Sequence, residues 1–134
     1  MKDLFLLITL LGLLLSSCAQ PQVKSDSALG IQELSADQFK QYVDKGDMII
    51  VDVRTPAEYA QGHIPGAINV DFNNPNFTLQ LEEMDKSKNY LMHCLSGGRS
   101  AQALKIFKSI GFKNVGHLTN GIQEWEQKGY PIVQ

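Results

Sequence analysis

NYLMHCLSGGRSAQALKIFKSIGF occupies residues 89–112, and its reading decides the fold. NYLMH reads as a short buried strand. SAQALKIFKSIG reads as an amphipathic helix, with Ala101, Leu104, Phe107 and Lys108 at three- and four-residue steps and Lys108 at the edge of the stripe. Between them CLSGGR passes from strand to helix through a cysteine, two glycines and an arginine, the helix starting near Arg99 or Ser100. A strand that restarts at once as a helix is the building unit of an α/β fold.

The flanking sequence repeats that unit. ELSADQFKQYVDKG offers Ser35 as a helix cap, apolar Phe39, Tyr42 and Val43 at helical spacing, and a stop at Gly46. MIIVDV, residues 48–53, is apolar and β-branched and reads as a buried strand. Thr55 then caps a short helix with Pro56 in its first position and Gly62 at its end. Pro65–Gly66 turns into a second strand over 67–70, and a helix is predicted near 77–84. NVGHL is a further strand, and GIQEWEQKGY a last helix ending at Gly129, with Trp125 in the core. Because most strands are continuously apolar, the pattern predicts a central parallel sheet flanked by helices on both faces. Such sheets bind ligands beyond the carboxyl ends of their strands, which is where Cys94 falls.

The chemistry of the loop follows from its residue types. Glycines at 97 and 98 accept positive φ, so successive N–H groups can turn inward. The first N–H groups of the next helix lack internal partners and point the same way. A sulfur at position 94 sits at the focus of those donors, and such surroundings lower a thiol pKa from about 8.5 into roughly the 3.5–7.5 range.

Length and composition bound the rest. The chain has 134 residues, 43% of them hydrophobic, a net charge of -2 and two cysteines, and it suits one domain. That charge gives no reason to expect nucleic acid or an anionic membrane surface as partner. MKDLFLLITLLGLLLSSCAQ has a lysine, an apolar stretch too short to span a bilayer comfortably, and then small residues, the layout of an export signal. Its LSSC, residues 15–18, resembles the lipobox of bacterial lipoproteins. That resemblance implies cleavage after residue 17, acylation of Cys18 and attachment to the cell envelope, facing the periplasm or the outer surface. Residues 18–30 are polar and small and read as a tether, leaving 31–134 to fold. With Cys18 lipidated, Cys94 has no partner in the chain. An unpaired cysteine in an exported protein points to a reactive thiol or an intermolecular bond.

HCLSGGRS resembles the active loop of rhodaneses, sulfurtransferases whose single-domain members carry Cys-x-x-Gly-x-Arg-Ser. VDVRTPAEYAQGHIPGAINV and GIQEWEQKGYPI resemble two further motifs of that family, so the likeness spans about residues 31–133. It implies an α/β rhodanese-like fold with Cys94 as the nucleophile that carries sulfur as a persulfide. The loop Leu95, Ser96, Gly97, Gly98, Arg99 and Ser100 would supply N–H donors, with Arg99 binding the donor or anchoring the loop. A small sulfur compound would be the substrate, a thiol protein a candidate acceptor, and neither metal nor organic cofactor is required. Asp52 and Arg54 would tie the sheet end to neighbouring loops, with Glu58 as their helix-borne partner or a solvated side chain.

Rival readings are a rhodanese module that binds a partner without catalysis, a redox role through mixed disulfides, and a cysteine phosphatase. Phosphatases of this fold use Cys-x5-Arg, one residue longer than the Cys-x4-Arg here, to surround a tetrahedral phosphate. Two departures from the family pattern stand out. Leu95 replaces an arginine common directly after the cysteine, which disfavours dianionic thiosulfate as donor. Asn120–Gly121 replaces two glycines, and Asn120 is expected to tolerate a left-handed turn. His63, His93 and His117 show no metal-ligand spacing, and His93 should face away from Cys94 across the sheet.

Overall fold

Short strands bounded by turn residues pair into one sheet, most of them apolar, and each connection between them carries a helix. A computed structural model describes residues 29–134; the stretch read as an export signal and Cys18 lie outside the described residues. The strands are β1 (Ile31–Leu34), β2 (Ile49–Asp52), β3 (Ile68–Asn69), β4 (Tyr90–His93) and β5 (Val115–Leu118). The helices are α1 (Ala36–Lys45), α2 (Pro56–Gln61), α3 (Phe77–Glu82), α4 (Gly98–Ser109) and α5 (Gly121–Gln127). All strands pair in parallel in the order β1-β5-β4-β2-β3.

Side chains alternate across β4 and so divide the interior in two. Tyr90, Met92 and Cys94 join Val51, Val53, Val115 and the buried faces of α3 and α4. Leu91 joins Ile50, Leu118, Phe39 of α1, and Ile122 and Trp125 of α5 on the other side. Helices therefore cover both faces, as the sequence predicts. His93 meets the ring of Phe39 edge-on at 6.3 Å and lies on the face opposite Cys94, also as expected. Trp125 is fully buried and donates its indole N–H to the Pro131 carbonyl at 2.8 Å.

The caps agree with the sequence. Ser35 with Gln38, and Thr55 with Glu58, each form a reciprocal capping box, and Pro56 begins α2. Gly46 closes α1 in the left-handed conformation.

Four details differ. β1 is absent from the sequence reading because IQEL is short and exposes Gln32 and Glu33, so it carries no apolar run to detect. Leu29, just before it, is buried, inside the segment read as tether. The buried stripe of α4 is Ser100, Ala103, Leu104 and Phe107, with Ala101 exposed. The helix begins at Gly98, earlier than predicted, and the inward position of Ser100 sets its phase.

β2 connects to β3 on one side of the sheet, whereas β4 connects to β5 on the other. Connections that diverge from neighbouring strands leave a crevice at their carboxyl ends. Cys94 and Arg54 lie buried there, just past the ends of β4 and β2.

Candidate active site

The backbone after β4 is held from behind by α5. The N–H groups of Ile122 and Gln123 donate to the carbonyls of Cys94 and Leu95 at 2.9 and 3.1 Å. These are helix-start N–H groups with no partner inside α5, so loop and helix end satisfy each other. Gly97 then takes φ 101, which reverses the chain and starts α4. With the first two carbonyls turned toward α5, the following N–H groups turn toward the sulfur. The Gly97 N–H donates to Cys94 Sγ at 3.1 Å and the Ser100 hydroxyl lies 3.3 Å from it. The backbone N–H groups of Ser96 and Ser100 complete the set.

Of the six loop residues expected to surround the sulfur, Ser96, Gly97 and Ser100 do so. Gly98 is helical and needs no glycine conformation, so a single glycine makes the turn. Likewise Asn120 has φ -101, and the left-handed residue of the β5–α5 turn is Gly121 at φ 66. The substitution of the family's first glycine by Asn120 therefore imposes no strain.

Cys94 is a free thiol with 1% of its surface exposed. Burial is the largest single influence and opposes the anion. The hydrogen bonds from the Ser100 hydroxyl and from the Ser100, Gly97 and Ser96 backbone together outweigh it, so the thiol lies below its ordinary pKa. The loop favours thiolate.

Arg99 leaves the sulfur and forms a two-pronged pair with Glu58, both contacts at 2.7 Å. Glu58 thus partners Arg99, not Asp52 or Arg54, and also closes the α2 capping box by accepting from the Thr55 N–H and hydroxyl at 2.9 Å. The Arg99 hydrogen bond, opposed by burial and helped by Thr55, lowers the Glu58 pKa to about 2. Arg99 in this position anchors the loop to α2. Arg54 is buried, pairs with Asp52 at 2.7 Å and donates to the Gly62 carbonyl at 2.7 Å. Asn69 adds its amide to the carbonyls of Asp52 and Arg54 at 3.0 and 2.8 Å, tying β3 to the same corner.

His93 is fully buried, and its Nδ1 lies 3.0 Å from the Cys94 carbonyl. Since a carbonyl only accepts, Nδ1 carries the proton and Nε2 is bare, without a hydrogen-bond partner. Burial is the main cause of its lowered pKa and keeps the ring neutral. Acid should therefore weaken the fold in two stages. A buried neutral His93 contributes stability above its ordinary 6.5 that is lost as pH falls below it. The Glu58 carboxylate contributes stability above its ordinary 4.5 that is lost as pH falls through about 2. Urea unfolding at descending pH should show both slopes, and Glu58→Gln should remove the lower one, worth about 1–2 kcal/mol after solvent screening. An unchanged slope below pH 4.5 in that variant would contradict the assignment.

Sequence reading missed two residues at this site. His117 of β5 and Glu33 of β1 extend from Ser100, with contacts of 2.7 Å at each step. Their separation along the chain leaves no local motif by which to find them. A polar groove of about 430 Å³ opens beside the loop, lined by Ser96, Asn120, Gln123, Glu124, Gln127 and Lys128. Among the described residues no group of histidine, cysteine and carboxylate side chains is placed to hold a metal ion.

Comparison with known proteins places these features in context. A family model described as Rhodanese-like domain matches residues 35–128. A sulfurtransferase of Allochromatium vinosum is 35% identical over 104 residues, covering 77% of this chain and 95% of that protein. A putative sulfur carrier protein of Bacillus subtilis, YrkF, is 33% identical over 105 residues, and this chain spans 56% of its length. The crystal structure of a rhodanese-related protein from Thermoplasma volcanium superposes with a TM-score of 0.67 at 28% identity, covering 76% of this chain and 97% of that one.

Proposed function

The chain belongs to the rhodanese-like domain family, and on that premise we propose that it transfers sulfane sulfur through a persulfide on Cys94. One observation carries the reading: a buried free thiol just beyond the carboxyl end of β4, surrounded by donors that favour its anion. The thiolate attacks the outer sulfur of a donor, the donor's sulfur–sulfur bond breaks, and its electron pair leaves with sulfite or a thiolate. A persulfide anion remains. An acceptor thiolate then attacks the outer sulfur, and Cys94 leaves as thiolate.

The charge at the rim favours low-charge donors. Arg99 is neutralised by Glu58, and Leu95, where the family commonly has arginine, is half-buried against the core cluster that includes Trp125. Persulfides and polysulfides should therefore load Cys94 faster than thiosulfate at matched concentration. Glu58→Gln frees the Arg99 charge and should raise kcat/KM for thiosulfate about 3–10-fold relative to a persulfide donor, on the order of a single exposed charge contact. Intact-mass measurement reads the loading: a gain of one sulfur atom on the protein, absent in Cys94→Ser, supports transfer. Repeated absence with thiosulfate, polysulfide and glutathione persulfide would favour the partner-binding module instead. The polar groove beside Ser96 suits a hydrophilic acceptor, such as the thiol-bearing segment of a protein.

The setting proposed for this chemistry is the bacterial cell envelope, with Cys18 lipidated after removal of the signal and the domain held on its tether. The LSSC stretch after the apolar run supports it. Metabolic labelling with an alkyne fatty acid should mark the protein and fail on Cys18→Ser; labelling that persists in that variant would contradict the anchor.

A further inference from the structure

The Ser100 hydroxyl has one proton and three neighbours. It lies 3.3 Å from Cys94 Sγ, 3.2 Å from the Gly97 carbonyl and 2.7 Å from His117 Nε2. The other side of the His117 ring is fixed: Nδ1 lies 2.7 Å from Glu33 Oε2, which also accepts the Thr119 hydroxyl at 3.1 Å. A carboxylate only accepts, so Nδ1 carries a proton, and in the neutral ring Nε2 presents its lone pair to Ser100. The hydroxyl then donates to His117 and its oxygen faces the sulfur as an acceptor. A thiol fits that arrangement; a thiolate does not.

Ionisation of Cys94 reverses both bonds. The thiol proton moves to the Ser100 oxygen as the hydroxyl proton moves to His117 Nε2. One proton has left sulfur, one has arrived on imidazole, and Ser100 again holds one. In the product state the hydroxyl donates to the thiolate, the imidazolium donates to Ser100 and to Glu33, and every polar atom of the chain has a suitable partner. We propose that Ser100, His117 and Glu33 form a proton relay that takes the thiol proton of Cys94 and holds it while the sulfur is an anion.

Burial gives the relay its route. Cys94 and the His117 side chain are 1% and 2% exposed, whereas the Glu33 side chain is 62% exposed. Direct proton exchange of the sulfur with water is therefore restricted, and the hydrogen-bonded chain runs from the buried sulfur to a solvated carboxylate. The groups in contact with the His117 ring are Ser100, which leads on to Cys94, on one side and Glu33 on the other, with His93 on the opposite face of the sheet. Arg99, next to Ser100, is directed to Glu58. Glu33 is the charge positioned to stabilise the imidazolium. Ser100 touches the reacting sulfur, while His117 and Glu33 act through it as positioning residues.

The inference rests on Cys94 being the nucleophile but needs no sulfur donor for its test. Ring nitrogens of His117 are followed by NMR against pH in the wild-type protein and in Cys94→Ala. Coupled sites shift each other, so the wild-type ring should hold its second proton to a measurably higher pH than in Cys94→Ala. Alkylation of Cys94 by iodoacetamide near pH 6 should fall about tenfold in His117→Asn and about threefold in Glu33→Gln, the result of raising the thiol pKa by up to a unit. A His117 midpoint that does not move between wild type and Cys94→Ala overturns the relay, whatever alkylation shows. That comparison requires no change at His117, so a poorly folded His117→Asn leaves the decision intact. Failed sulfur loading with a displaced His117 midpoint would overturn the transferase reading and keep the relay.

Discussion

Cys94→Ser should abolish sulfur loading and lower transfer by about 10³-fold or more, the scale seen when a nucleophile is removed, while the protein remains folded. Serine oxygen can occupy the place of Sγ and accept the Gly97 N–H, and the backbone bonds from α5 go to carbonyls that the substitution leaves alone. The fold thus keeps its loop and loses only the atom that can bear a second sulfur. Steady-state transfer to a thiol acceptor, measured beside the unfolding midpoint, separates the two effects. Residual transfer within tenfold of wild type would mean that another group carries the sulfur.

The second large effect is steric. Gly97 and Gly121 sit at positive φ where the active loop and the β5–α5 turn touch. A methyl group on Gly97 would overlap the Thr119 carbonyl, and one on Gly121 would overlap the Leu95 carbonyl and crowd the Ser96 nitrogen. Left-handed backbone costs an alanine roughly 1–2 kcal/mol, and forced displacement in a packed site typically adds 1–3. Gly97→Ala and Gly121→Ala should each lose about 3 kcal/mol and most of their activity, because the displaced peptides are the ones that hold the sulfur's donors. Gly98 supplies the control. It is helical, and a methyl there meets nothing within 4 Å. Gly98→Ala should leave activity intact and gain about 0.5–1 kcal/mol from the better helix residue. Urea denaturation of the three variants tests the contrast; equal losses at Gly97 and Gly98 would refute the account of the turn.

What the sequence made legible was local. MIIV and NYLM declare strands by being apolar, and Ser35 and Thr55 declare helix starts through bonds that close within three residues. The sulfur loop is of the same kind, since Cys94, Gly97 and Ser100 lie within seven consecutive residues. β1 escaped because an edge strand with two exposed polar residues in four has no apolar signature. The fate of Arg99 was hidden for a different reason: its partner Glu58 lies 41 residues away, on another helix. Glu33 and His117 are 84 residues apart and meet only because β1 pairs with β5. Parallel pairing joins distant segments, so the groups that tune the thiol depend on sheet order, whereas the groups that surround it depend on neighbours in sequence.

The ionisation of Cys94 tests the account most directly. Thiolate absorbance in the ultraviolet, taken as the difference between wild type and Cys94→Ser across a pH titration, isolates this sulfur from any other. A midpoint below the usual thiol value of about 8.5 is the predicted result. A midpoint at or above that value would contradict it, since burial would then have prevailed over the hydrogen bonds of Ser96, Gly97 and Ser100.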